Sequence, residues 1–165
     1  MEQITISQAQ KHTSPNPIAL VCTQKPDGSS NLAAVSWWTY LSNKPPVLGF
    51  ALSNKGYTGE LLRQSKQVVL ALPGTALAKE AFLCGCCSGR DTNKAEKYAI
   101  ALESVPGSPV LAPQHSKLVF ACQLESTAPA GDHTVYICAI DNIYYRDSET
   151  QLFSWEGYAD LRPIG

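Results

Sequence analysis

The sequence predicts a mainly β fold, a barrel or sandwich of short strands with a few short inserted helices. Short apolar, β-branched runs recur along the chain, and eleven prolines and eleven glycines punctuate them with turn chemistry. Helical segments do not alternate with strands, which argues against a doubly wound parallel sheet.

Pro17 to Gln24 (PIALVCTQ) is the first strand. Pro26-Asp27-Gly28 turns the chain, and Asn31 to Leu41 (NLAAVSWWTYL) returns, so the two runs form a hairpin. Lys44-Pro45-Pro46 breaks the chain before a strand over Val47 to Leu52, and Gln67 to Leu72 (QVVLAL) is a fourth. In Lys117 to Glu125, Leu118, Phe120, Cys122 and Leu124 alternate with Val119, Ala121, Gln123 and Glu125, the pattern of a half-buried strand. His133 to Arg146 (HTVYICAIDNIYYR) is a long strand or a bent pair. Helices fit three places. Thr58 caps a short one carrying Leu61 and Leu62, with Glu60 where the dipole favours an anion. Thr75 caps a second over Ala76 to Leu83, ended by Gly85, and Asp91 caps a third through Lys97 and Tyr98.

The 165 residues suit one domain spanning the chain, with enough length for a core that needs no staples. The net charge is -1 and no basic run occurs, so nucleic acid is not the expected partner. No apolar run approaches the roughly 20 residues of a membrane span. The polar start MEQITISQAQKH lacks the apolar core of a signal peptide, which makes the cytoplasm the expected location. Six cysteines are therefore not expected to form a disulfide framework. Cys22, Cys122 and Cys138 read as small core hydrophobes. Cys84, Cys86 and Cys87 do not supply the two CxxC pairs of zinc and iron–sulfur sites, and neither His115 nor His133 is locally spaced to complete one, so no metal is expected. Small residues in a tight loop is the plain reading of this cluster. A reactive thiol is the alternative, because Arg90 and Lys94 stand nearby in sequence.

The run PNPIALVCTQKPDGSSNLAAVSWWTYLSNKPPVLGFAL resembles the start of the flavin-reductase-like FMN-binding domain. The resemblance rests on Asp27-Gly28, Asn31, Ser36-Trp37 and Pro45-Pro46, then on Gly131-Asp132-His133 opening the late strand. Ser88-Gly89-Arg90 with Lys94 is similar to a loop of the flavoredoxin-like branch. It covers about Pro15 to Asp160, and the cysteine-rich loop departs from it. It implies a split β-barrel with FMN near the interface of a homodimer. It also implies an oxidoreductase in which NAD(P)H reduces flavin or another small acceptor. The alternative it leaves open is a flavoredoxin-type electron carrier served by a partner redox protein. No dinucleotide fingerprint of the Rossmann kind supports nicotinamide use independently.

Asn31, Ser36, Trp37, Trp38 and Thr39 offer a strand edge, a small hydroxyl and aromatic rings, which suit an isoalloxazine; the competing reading makes the tryptophans barrel core and rim. Ser53, Asn54, Lys55, Gly56, Tyr57 and Thr58 join a strand end to a helix start. There free backbone N–H groups and Lys55 would meet a phosphate, or form an ordinary capped loop. Ser88, Arg90 and Lys94 would supply polar contacts to the cofactor or the nicotinamide. The resemblance places His133 on the substrate side of the flavin as hydrogen-bond donor or proton source, against a plain strand-end histidine. Trp155 and Tyr158 either cover the flavin or pack on the barrel.

Overall fold

The structure, a computed structural model, describes residues 1–155 and 159–164. Seven antiparallel strands form its main sheet: β1 Ala19–Gln24, β2 Ser30–Val35, β3 Trp38–Asn43, β4 Pro46–Ser53, β5 Gln67–Pro73, β6 Ser116–Ala130 and β7 His133–Tyr145. Their order across the sheet is β2-β1-β5-β6-β7-β4-β3. The sheet curls until its outermost strands, consecutive in sequence, meet at Ser36–Trp37. There the Ala51 N–H donates to the Trp37 carbonyl at 2.9 Å. No ladder joins β2 to β4, so the barrel is split along a seam between Ala33–Val35 and Ala51–Ser53.

Turn chemistry sets the registers. Gly28 takes φ +84° while the Asp27 carboxylate accepts from the Ser29 N–H (2.9 Å) and hydroxyl (2.6 Å), which fixes the β1–β2 hairpin. Gly131, at φ +65°, turns β6 into β7, and His133 lies opposite Ser53 in the ladder with β4.

The core has two layers. Inside the barrel, Leu48, Phe50, Leu70, Phe120 and Tyr136 pack together. Outside it, Leu20, Cys22, Leu32, Val69 and Ala71 pack under Ala81, Cys84, Ile100 and Val110. β1 and β5 are thus covered on both faces, which is why they read as continuous apolar runs. The same covering corrects the half-buried reading of Lys117 to Glu125. Phe120, Cys122 and Leu124 face the barrel, Val119 and Ala121 face the outer layer, and only Gln123 and Glu125 in this stretch are exposed. β7 is one long strand with two register shifts rather than a bent pair.

Helices are α1 Ile6–His12, α2 Tyr57–Ser65, α3 Ala78–Gly85 and α4 Lys94–Lys97. The caps differ from those expected. α2 starts from Gly56 without a side-chain cap, so Thr58 lies inside its first turn, where its oxygen accepts from the Asn31 amide (2.9 Å). Thr75 opens a 3₁₀ turn that leads into α3, and Asn93, not Asp91, caps α4. α1 is an addition; a Thr5–Gln8 capping box holds it although it buries no residue. No described helix is long and apolar enough to cross a membrane.

Candidate functional site

A cavity of about 510 Å³ opens along the seam, within the range of small-molecule sites. Its floor is the β4–α2 turn, one rim is the β7 start with Trp37, and the other rim is the end of α3 with the loop to α4.

The floor is built for an anion. β4 ends at Ser53, the Gly56 N–H closes a turn on the Ser53 carbonyl (2.9 Å), and α2 begins with no side chain on its first N–H groups. α1 and α4 both have such a cap. The first-turn donors of α2 therefore stay free at the positive end of its dipole. Gly56, Tyr57 and Thr58 line the cavity. Since the Thr58 oxygen accepts from Asn31, its own proton is free to donate elsewhere. Lys55 is exposed at the same turn and makes no hydrogen bond through its ammonium within the described chain.

The β7 rim carries the aromatic wall. The Trp37 and His133 rings meet at 4.9 Å, tilted by 49°. His133 Nδ1 lies 2.7 Å from Asp132 Oδ1. The bond to His133, helped by Lys55, holds the Asp132 carboxyl below the usual range. An ionised Asp132 accepts the proton on Nδ1 and leaves Nε2 for the cavity. Asn54 fastens this rim: its amide donates to the Gly131 carbonyl (3.0 Å) and accepts from the Thr134 hydroxyl (2.7 Å).

The α3 rim is held differently. Lys94 is buried, and its ammonium donates to the Leu32 (2.8 Å) and Cys84 (2.6 Å) carbonyls; burial pushes its pKa down. Arg90 pairs with Glu60 at 2.6 Å and lies 4.6 Å over the Tyr57 ring, tying the loop to α2. Glu60 is held below the usual carboxylate range by that guanidinium. The Ser88 hydroxyl accepts from the Arg90 N–H (3.1 Å). Beneath them Asn31 is buried. Its amide donates to Thr23 (3.1 Å) and Thr58, and its carbonyl oxygen has no hydrogen-bond partner. Gly89 closes over that oxygen so tightly that a Cβ there would lie 1.8 Å from it.

Of the residues expected from sequence, Trp37, Ser53, Lys55, Thr58, Ser88, Lys94 and His133 line this cavity. Ser36, Trp38 and Thr39 lie instead on a neighbouring hollow of about 370 Å³ that shares Trp37. Ser36 and Trp37 form the link between β2 and β3, and Trp37 at this corner borders both hollows. Trp38 also serves the fold: its indole N–H donates to the Pro17 carbonyl (3.0 Å), and its ring packs on Phe120. Asn31, Asn54 and Arg90 support the walls without lining them. Trp155 is half-buried, with Arg162 5.4 Å over its ring, while Tyr158 lies outside the described residues. Phe82 and the part played by Asp132 escaped the sequence reading. Asp132 stands inside the quoted Gly-Asp-His, but only the structure shows it holding His133.

Comparison with known proteins agrees with this architecture. The model of the flavin reductase like domain matches residues 11–162. A curated protein of Archaeoglobus fulgidus is 27% identical over 118 residues, covering 72% of this chain and 67% of its own length. Among solved structures, flavoredoxin of Desulfovibrio vulgaris superposes with a TM-score of 0.82 at 18% identity, over 93% of this chain and 88% of its own. The FMN-binding protein of Thermus thermophilus gives 0.85 at 17% identity, over 99% and 93%. A Streptomyces globisporus NADH:FAD oxidoreductase gives 0.85 at 10%, over 100% and 98%. At these identities the likeness speaks for the fold.

Proposed function

This chain belongs to the flavin reductase-like domain family, and from that premise we propose that it binds FMN in the seam cavity and works as a flavin-dependent oxidoreductase. One observation carries the reading. The uncapped start of α2 and the exposed Lys55 meet at one end of a cavity whose rim is Trp37 against His133. A dianionic phosphate and a flat heteroaromatic ring need those two environments together.

When bound, the flavin supplies two-electron chemistry between a donor and an acceptor. The chain's own groups bind and orient it. Free N–H groups of α2, the Thr58 hydroxyl and Lys55 hold the phosphate. Trp37 and the small side chains of Ala33, Ala34 and Ala51 shape the ring pocket, and Ser88 faces it from the other rim. His133, its Nδ1 proton fixed by Asp132, presents Nε2 as hydrogen-bonding group or proton carrier. In this reading the donor is NAD(P)H, and the acceptor is free flavin or another small molecule. The chain acts as a homodimer: edge strand β3 exposes Tyr40 and Leu41 beside Trp37, an apolar edge that a second copy would cover.

The visible spectrum of the pure protein tests the cofactor. Flavin bands are expected, and a protein that stays colourless after incubation with FMN contradicts the reading. NADH and NADPH oxidation, with and without added flavin, separates a reductase from a flavoredoxin-type carrier.

A further inference from the structure

The end of α3 carries chemistry that flavin binding does not use. Cys84, Cys86 and Cys87 all line the cavity, yet the three are not equivalent. The chain keeps a helical path beyond Gly85: Cys86 has φ −88° and ψ −12°, and its N–H donates to the Leu83 carbonyl at 3.1 Å. Cys84 and Cys87 are therefore one turn apart on the same face, where Cβ atoms are roughly 5–6 Å apart. A disulfide closes at a Cβ separation of about 3.5–4.5 Å, so the turn after Gly85 has to tighten by about 1–2 Å when the bond forms. Cys86 points elsewhere, its thiol donating back to the Phe82 carbonyl at 3.4 Å.

The two sulfurs also differ in setting. Cys84 is buried, and burial pushes its thiol up to about 12 against the opposing pull of Lys94. Cys87 is half-buried, and its sulfur lies 3.2 Å from the Tyr98 hydroxyl. That hydroxyl is a hydrogen-bond donor for a developing thiolate. One accessible sulfur with a donor beside it, and one shielded sulfur a helical turn away, make an attacking and a resolving pair.

We propose that Cys84 and Cys87 form a cavity-facing redox dithiol that exchanges with small disulfides. The Cys87 thiolate attacks one sulfur of R–S–S–R. That S–S bond breaks, and one R–S⁻ leaves and takes up the proton Cys87 lost. The Cys84 sulfur then attacks Cys87 in the mixed disulfide, and the second R–S⁻ leaves with the Cys84 proton. Two protein thiols and one small disulfide thus become one protein disulfide and two small thiols. Two electrons pass from protein to small disulfide. The inference rests on the cavity wall and holds whether or not the cavity takes FMN.

The test equilibrates the full chain in buffers of reduced and oxidised glutathione, blocks free thiols with an alkylating agent, and weighs the tryptic fragment Glu80–Arg90, which contains only these three cysteines. With increasing oxidation the fragment should become two hydrogens lighter and carry one alkyl group, on Cys86. Cys86→Ser keeps the bond. Cys87→Ser abolishes it, and Cys84→Ser accumulates glutathione on Cys87 instead of resolving it. Three alkylated cysteines at every ratio, or a bond between Cys86 and Cys87 that survives Cys84→Ser, overturns the proposal. The Cys86→Ser protein keeps both partners and carries the test even where Cys84→Ser fails to fold. Flavin absorbance is read in the same samples. A colourless chain that forms the bond contradicts the flavin reading alone.

Discussion

On the cavity floor, residues 53–58 leave Lys55 exposed and the first N–H groups of α2 uncapped. On the α3 rim, residues 84–94 commit theirs: Lys94 is buried against two carbonyls, and Arg90 is paired with Glu60. Both regions are basic and both face the cavity, but a ligand can recruit only charge that the fold has not used. Substitutions on the α3 rim should therefore damage folding, and those on the floor and β7 rim should damage binding or chemistry in a chain that still folds.

The largest effect is expected from Lys94→Met. It leaves the Leu32 and Cys84 carbonyls buried without a donor. Hydrogen bonds to charged groups contribute about 1.5–3 kcal/mol each, offset by relief from burying a cation, so stability should fall by about 3 kcal/mol in urea unfolding. The parent should also show a signature in pH. Its Lys94 pKa is depressed, so the unfolded chain binds more protons between that value and the ordinary lysine value near 10.4. Stability contributed by this group rises with pH through that window, and the rise should vanish in Lys94→Met.

His133→Ala sharpens the contrast from the other side. The protein should keep its flavin, while anaerobic reduction by a nicotinamide slows by about 10²-fold. An unchanged rate would make His133 a structural partner of Trp37 and Asp132. Gly89→Ala returns to the α3 rim. Its Cβ would collide with the buried Asn31 oxygen, and overpacking of this kind costs about 1–3 kcal/mol, visible as a lower melting temperature. The smallest effect belongs to Arg90→Ala, because its ion pair with Glu60 is half exposed and screened by solvent. A loss of FMN affinity greater than that of Lys55→Ala would break the comparison and move the phosphate to Arg90.

The strands were legible because β-branched runs and turn residues are local signals. Asp27-Gly28 and Gly131 sit where the hairpins turn. What escaped depends on partners distant in sequence. The Thr58 hydroxyl looked like a cap but belongs to Asn31. Ser36, Trp38 and Thr39 adjoin Trp37 in sequence, yet they border the second hollow, and only the fold shows that Trp37 alone of the four also reaches the first. α1 is polar and buries nothing, so no apolar period announces it. Lys94 reads as a ligand contact in sequence, and only the packed structure shows that its ammonium already ties strand β2 to the end of α3.

The central claim, that free charge at residues 53–58 holds a flavin phosphate, is tested most directly by titrating FMN and riboflavin into the parent and Lys55→Ala apoproteins. A charge-assisted contact of roughly 1.5–3 kcal/mol predicts that FMN binds about ten- to a hundredfold more weakly to the variant while riboflavin is indifferent to it. Equal losses for both flavins, or no loss for either, would contradict it.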